Sequence, residues 1–557
     1  MIRDIQRYVL IAAIAVLGFM LLTNWVHFRQ KMAQEPQVAS TTELPTDVAL
    51  PAANTDAAAI PNLAVPAEKK ATGETAPTSA ERYVRVRTDV LDLKIDLEGG
   101  DIVSVALPKY STSLETPDQA FLLLQQDQHR SYIAQSGLVG RDGTDTAAGR
   151  PKFESATTNY ELKEGEADLA VEILYETPQH VQIHKRFLFQ RGQYVVGLNY
   201  RIDNLSESTW QGTLYGQLKR DNSADPSVVT GGLGMSSYLG AAAPTQKSTY
   251  EKLAFKNFAD KPLKEELNGG WIGIIQHYFL SAWVPDKNSK NQFSTLATQN
   301  NTHIVRFTAP VQEIAAGSSG EFNARLYAGP KDQYALREIA PGLELSVDYG
   351  YLFFIAQPIF WLLTKIHGVL GNWGWSIVGV TVIVKAMFFW LNAKAYLSMA
   401  NMRKVQPKLA EIRERYADDR QKQSAEMMNL YKTEKINPLG GCLPILVQMP
   451  VFLSLYWVLQ ESVELRHAPW ILWINDLSAM DPYLILPLLM GATMFIQQKL
   501  NPPPPDPMQA KVMQWMPVMF TFFFLWFPAG LVLYWVVNNT LSIAQQYVIT
   551  KRIVKNA

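Results

Sequence analysis

The chain has 557 residues, with 51 basic and 51 acidic side chains, so its formal net charge is zero. That balance argues against a nucleic-acid binder, and the length allows several domains. The single cysteine, Cys442, excludes an internal disulfide and any cysteine zinc cluster.

Arg3 and Arg7 precede an apolar run from Tyr8 to about Phe28. Basic residues ahead of an apolar run predict a cytoplasmic N-terminus and an uncleaved signal anchor over residues 1–30. A cleaved signal peptide is the alternative, but the run is long and no small-x-small site directly follows it. A lipoprotein anchor would need a cysteine just after the run, and none is there. Residues 31–80 are rich in Ala, Pro and Thr and read as a flexible linker, too poor in large apolar side chains to form a core.

From 81 to about 335 the apolar period is two. Leu91, Leu93, Ile95 and Leu97 alternate with Asp92, Lys94, Asp96 and Glu98, and Gly99-Gly100 turns the chain into Ile102–Val105, a hairpin signal. Residues 169–175, 181–189 and 194–200 continue the series. Many strands at regular spacing predict a large antiparallel all-β sandwich. By the parity of the first span it lies outside the cytoplasm. His180 and His184 have no third residue at metal-ligand spacing and read as surface histidines. No phosphate loop, nucleophile elbow or zinc motif is present.

Residues 336–371 are expected to form an interfacial amphipathic helix. The apolar stretch from Tyr349 to Leu363 is short and interrupted by Gln357-Pro358. Counting it as a span would also put the next basic loop outside, against the positive-inside rule.

Residues 372–550 read as a core of five spans. The first runs from Trp373 to Tyr396, apolar with aromatic ends, and carries Lys385 near its middle, roughly 17 Å from either end. A lysine there costs about 2.5–3.5 kcal/mol on insertion scales. It needs either a partner carboxylate, for which only Glu461 is a candidate, or a water-filled cavity that binds something. A charged loop over 397–437 follows, with Met399, Met402, Val405, Leu409, Ile412 and Tyr416 on one helical stripe. Asp418-Asp419 breaks the stripe, and Met428, Tyr431 and Lys435 mark a second helix, giving a cytoplasmic helical hairpin. Further spans are expected over 439–459 and 483–496. The apolar run 512–549 would measure about 57 Å as one helix. It is therefore predicted as two short spans hinged at Phe527-Pro528-Ala529-Gly530, with a basic cytoplasmic tail over 551–557.

Several of these stretches are familiar. Asn437–Tyr456 (NPLGGCLPILVQMPVFLSLY) resembles the signature of the YidC insertase family of the Oxa superfamily. So do Ser462-Val-Glu-Leu-Arg466, Asp476-Leu-Ser478, Asp506-Pro-Met-Gln509 and Phe527-Pro-Ala-Gly-Leu-Val-Leu-Tyr534. Gly269–Phe279 is similar to the family's periplasmic domain. The resemblance covers the whole order of segments, in the Gram-negative form with a large periplasmic domain.

The resemblance implies a protein of the inner membrane, both termini cytoplasmic, that inserts and folds membrane proteins through a hydrophilic groove open to cytoplasm and lipid. Lys385 stands where the family has a groove arginine, which keeps a charge but loses the planar donor fork. Thr381 matches a groove residue one turn earlier. Tyr534 and Trp535 match a pair of tyrosines, the second replaced here by tryptophan. Met449, Met516, Met519 and Phe520 fall on a surface along which a client helix would slide. The hairpin's Arg403, Lys404, Arg413 and Arg415 would face headgroups, a ribosome or a client. Implied partners are nascent membrane proteins, the Sec translocon with its accessory complex, the ribosome and the bilayer, with no cofactor, no metal, no enzymatic step and no nucleic-acid specificity. A secondary transporter is the alternative, weakened by the lack of inverted repeats. A membrane-anchored periplasmic carbohydrate enzyme would leave the helical tail unexplained.

Overall fold

The computed structural model describes residues 82–228, 237–298, 301–434, 443–501 and 507–555. The chain divides into two compact units, residues 1–59 and 60–557, and the described residues all belong to the second. The expected signal anchor, the whole of the linker, Cys442, Lys435 and the start of the 437–456 signature lie outside the described residues.

The strand Val181–Gln190 shows how the period-two sequence makes the first half. Val181, Ile183, Lys185, Phe187 and Phe189 are buried, while the residues between them face outward or lie at the rim. A strand alternates its side chains by face, so this row must be covered. It pairs antiparallel with Val195–Asn204 on one side and Asp168–Glu176 on the other. Repeated across the domain, the pattern yields an 11-stranded and a 9-stranded sheet. Their inner faces share one apolar core that includes Ile95, Phe121, Phe187, Tyr200 and Trp283. Bonds also stitch the two layers: Tyr132 Oη lies 2.5 Å from Ser281 Oγ, and Trp283 Nε1 donates to Gln217 O at 3.0 Å. Gly99 and Gly100 turn the predicted hairpin with φ of 81° and 65°, a backbone that L side chains avoid. One pairing departs from the antiparallel expectation: Tyr83–Arg87 runs parallel to Asn159–Glu161.

The second half is helical: α1 (Gln333–Ile339), α2 (Phe353–Leu370), α3 (Trp373–Met387), α4 (Phe389–Lys404), α5 (Gln406–Arg415), α6 (Arg420–Thr433), α7 (Leu443–Glu461), α8 (Ile485–Leu500), α9 (Pro507–Phe524) and α10 (Ala529–Lys555). Three expectations change. Pro358 lies inside α2 without ending it. Gly350–Leu370 is, by length and composition, apolar and long enough to cross a membrane, so length does not argue against a span there. The stretch Trp373–Tyr396 is not one straight helix, because α3 and α4 meet at a 66° bend around Phe388. No proline or glycine stands at that break to announce it in the sequence. Lys385 therefore sits near the end of a helix rather than in the middle of one.

The hairpin forms, but its stripe is shared by α4 and α5, which break at Val405. Val405 and Leu409 pack with Met402 and with Met427, Leu430 and Tyr431 of α6. Asp419 caps α6, its side chain accepting from Gln421 N and Lys422 N. The predicted hinge also appears. α9 ends at Phe524 and α10 begins at Ala529, where Ala529 N donates to Ala479 O at 2.7 Å and Gly530 N to Leu477 O at 2.9 Å.

The two halves are joined by buried polar contacts. Lys331, just after the strand Ser319–Pro330, forms a 2.8 Å ion pair with Glu461 at the end of α7, with side chains 2% and 5% exposed. His277 Nε2 donates to Gln460 O at 2.8 Å, and Ser237 Oγ to Glu461 Oε1 at 3.3 Å. Arg466 donates to Thr112 O at 3.1 Å and lies over the rings of Phe121 and Phe279.

Candidate functional site

The polar interior of the helical half is assembled from α3, α7 and α10. Lys385 comes from α3 and is only 8% exposed. Its Nζ donates to Ser542 Oγ on α10 at 2.7 Å and to Gln448 Oε1 on α7 at 3.5 Å. Gln448 Nε2 in turn donates to Tyr534 Oη at 3.4 Å and to Asn538 Oδ1. Ser542 Oγ donates its own hydrogen bond to Asn538 O at 2.7 Å. Each described partner of Lys385 is neutral. Glu461, the carboxylate considered on sequence, is engaged by Lys331 instead.

Of the expected groove residues, Lys385 and Tyr534 join this network. Thr381 is buried close by, but its hydroxyl is back-bonded to Ile377 O at 2.6 Å within its own helix. Trp535 points elsewhere: its ring centroid is 4.9 Å from that of Phe452 on α7 and 5.9 Å from that of Phe524 on α9, so it wedges between those helices. Its indole N–H has no hydrogen-bond partner among the described residues. Four-residue spacing on α10 puts Asn538, Ser542 and Gln546 on one buried face. That polar stripe on an apolar helix was visible in the sequence as Asn-x3-Ser-x3-Gln, and it includes Ser542, a partner of Lys385 that charge alone did not mark.

The expected client surface is split between two helices. Met449 on α7 and Met519 on α9 are exposed, Met516 is half-buried, and Phe520 is half-buried and stacks on Phe524. In the hairpin region the four basic residues differ in role. Arg403 donates to Lys499 O at 2.7 Å and Asn501 O at 3.2 Å, tying the end of α4 to the end of α8. Arg413 is half-buried, whereas Lys404 and Arg415 are exposed.

In the sandwich, His184 pairs with Glu172 at 2.8 Å and His180 with Glu176 at 3.1 Å. No group of His, Cys, Asp or Glu among the described residues could hold a metal ion. Lys185 was not singled out by its sequence. It is fully buried, donates to Gly99 O at 3.0 Å and Ser136 O at 3.2 Å, and lies 5.1 Å from the Tyr200 ring centroid. Burial pushes its amine down to about 7, opposed by the nearby Asp101 carboxylate. Arg150 bridges Asp101 and Asp145 beside it.

Residues 83–362 match the family described as YidC periplasmic domain, and residues 365–556 match the 60Kd inner membrane protein family. A membrane protein insertase YidC from Stutzerimonas stutzeri (strain A1501) is 52% identical over 551 residues, covering 99% of both chains. One from Pseudomonas syringae pv. tomato (strain ATCC BAA-871 / DC3000) is 52% identical over 554 residues, covering 99% of this chain and 98% of that one. A crystal structure of an active YidC insertase with its first transmembrane domain resolved aligns with TM-score 0.39 and 18% identity, over 85% of this chain and 93% of that one. By full-length identity and by both halves of its sequence, this chain belongs to the YidC family of inner-membrane protein insertases.

Proposed function

We propose that this chain inserts membrane proteins into the inner membrane by drawing their short polar tails toward Lys385. The observation that carries the reading is the placement of Lys385: buried, held by neutral groups on α7 and α10, with no described carboxylate beside it. A secondary transporter finds no support in the two relatives described above, both named as insertases.

The physics of the step follows from the barrier. Each polar or charged group of a client tail costs several kcal/mol in hydrocarbon. A cation among hydroxyl and amide side chains offers an acidic tail a low-energy stopping point partway. The client's apolar helix then leaves along the exposed methionines of α7 and α9, and its burial in lipid drives the step without a nucleotide. Membrane potential adds to this for charged tails.

The same reading puts the sandwich in the periplasm, α2 along the outer interface, and α5–α6 in the cytoplasm. There Lys404 and Arg415 face the ribosome or lipid headgroups, and the Sec translocon is a partner for larger clients. Paired clients that differ only in tail charge test the central claim. Lys385→Arg should retain insertion of both, while Lys385→Ala and Lys385→Glu should impair the acidic-tailed client far more. Equal defects for both clients, with a lowered melting temperature, would assign Lys385 a structural role.

A further inference from the structure

Lys385 is only 8% exposed and its partner Ser542 only 2%, so a client carboxylate has no open route to the cation in this conformation. One of the helices around it must give way: α3 with α4, α10 or α7. The first two are braced at the ends nearest the hairpin. Gln545 Nε2 of α10 donates to Phe389 O, at the bend between α3 and α4, at 3.0 Å. The neighbouring Gln546 Nε2 donates to Leu500 O at 3.1 Å and to Asn501 Oδ1 at 3.0 Å. Arg403 of α4 holds Lys499 O and Asn501 O at the same end of α8. These bonds close α4, α8 and α10 into a triangle, and α7 stands outside it.

α7 itself changes character at Pro450. After it, Ser454, Leu455, Val458, Leu459 and Glu461 are all 4% exposed or less. That half ends in the clamp to the sandwich, through Glu461 with Lys331 and Gln460 O with His277. Before Pro450, Val447 and Gln448 are half-buried and Met449 is exposed. The described polar link of this half is Gln448, whose bonds to Lys385 and Tyr534 are long, at 3.5 and 3.4 Å, with Asn538 its closer partner. Pro450 has no N–H to give to Leu446 O, and Ser454 Oγ bonds back to Pro450 O at 2.8 Å. A missing rung beside a back-bonded serine is where helices bend.

We propose that the half of α7 before Pro450 is a hinged wall: it pivots at that proline and carries Gln448 away from Lys385 to admit the client's polar tail, while the half after it stays fixed to the sandwich. A tail carboxylate then replaces Gln448 Oε1 as the acceptor from Lys385, and Tyr534 and Ser542 stay in place on α10. When the tail leaves, Gln448 returns and covers the cation. The proposal rests on Lys385 being where the client tail stops, but the wall's movement is measured separately from that.

Pulsed electron resonance on the full chain in lipid nanodiscs tests it, in a Cys442→Ser background. Nitroxides at Val447→Cys on α7 and Tyr547→Cys on α10 read the wall, and a pair at Gln460→Cys and Leu488→Cys reads the clamped end. A bound acidic-tailed client should lengthen the first distance by several ångströms and leave the second unchanged. Pro450→Ala, which restores the missing N–H, should abolish the lengthening. It should also slow insertion several-fold for acidic-tailed and neutral-tailed clients alike, with a melting temperature no lower than the parent's. Pro450→Gly, which restores the N–H but keeps the backbone loose, should retain most of the insertion. An unchanged first distance with client bound, equal movement of both pairs, a Pro450→Ala variant that inserts at the parent's rate, or a Pro450→Gly variant as slow as Pro450→Ala would overturn the hinge. Failure of Lys385 as the stopping point shows instead as lost discrimination by tail charge, which these distances do not read.

Discussion

Lys385 has two described hydrogen-bond partners, and they hold it in different ways. Ser542 is close and belongs to the helix opposite, while Gln448 is longer and shared with Tyr534 and Asn538. Gln448 is therefore the residue that couples the cation to the rest of the polar interior. Gln448→Leu leaves the Tyr534–Asn538 pair without its bridge and should cost about 1–3 kcal/mol. It should also reduce insertion of acidic-tailed clients more than neutral ones. Thermal unfolding and the paired-client assay read the two effects. The sequence made Lys385 conspicuous because a charge in an apolar run is costly wherever it lands. It left Gln448 inconspicuous because a single glutamine near two prolines reads as a helix irregularity. Lys185 was hidden for the opposite reason: in an alternating strand a lysine marks the outward face, and only the fold shows it on the inward one.

Lys185 also gives a pH signature. Its amine is lowered to about 7 in the folded protein against 10.5 when unfolded. Between those values the unfolded chain binds more protons, so stability rises with pH. From pH 7 to 9 the gain should be about 2 kcal/mol. Lys185→Met should remove that slope and raise stability most at pH 7. Unfolding of both proteins at the two pH values checks this, and an unchanged slope in the variant would assign it to another group.

At the scale of elements, the chain's regular pieces were legible and its breaks were not. The hinge at Pro528 announced itself because an apolar run too long for one bilayer must fold somewhere, and a proline with a glycine offers the place. The bend at Phe388 has no such marker. Pro358 misled in the other direction: it removes the bond that residue 358 would donate to Phe354 O, yet the buried face of Ala356, Ile359, Phe360 and Leu363 carries the helix past it. The join between the sandwich and α7 was also unreadable, because it depends on contacts between residues more than a hundred positions apart. Lys331 and Glu461 can be tested as a pair. Lys331→Met leaves a buried carboxylate alone and should destabilise by about 3–5 kcal/mol, whereas Lys331→Met with Glu461→Leu should recover most of that loss. A double variant no better than the single one would show that the salt bridge is not the dominant contact.

At the scale of the whole molecule, the strands of the period-two half, the helices of the apolar half and the charged helical hairpin each followed from pattern alone, while the expectation of a groove came from the family resemblance. The topology that joins them is open to direct measurement. Cysteine placed at Asp418 in a Cys442→Ser background should resist an impermeant thiol reagent in intact spheroplasts and react once they are lysed. Labelling before lysis would put the hairpin outside and reverse the orientation of the core.

The contacts of Lys331, His277 and Arg466 across the join bear on imaging as well as on energy. A small helical core inside a detergent micelle gives an electron microscope little to align on, since its projections are nearly featureless. Here a large asymmetric β-domain is bolted to that core, so it moves with the helices and gives them a distinct landmark. The molecule thus carries its own fiducial, and single-particle averaging of the core can proceed without an added antibody fragment.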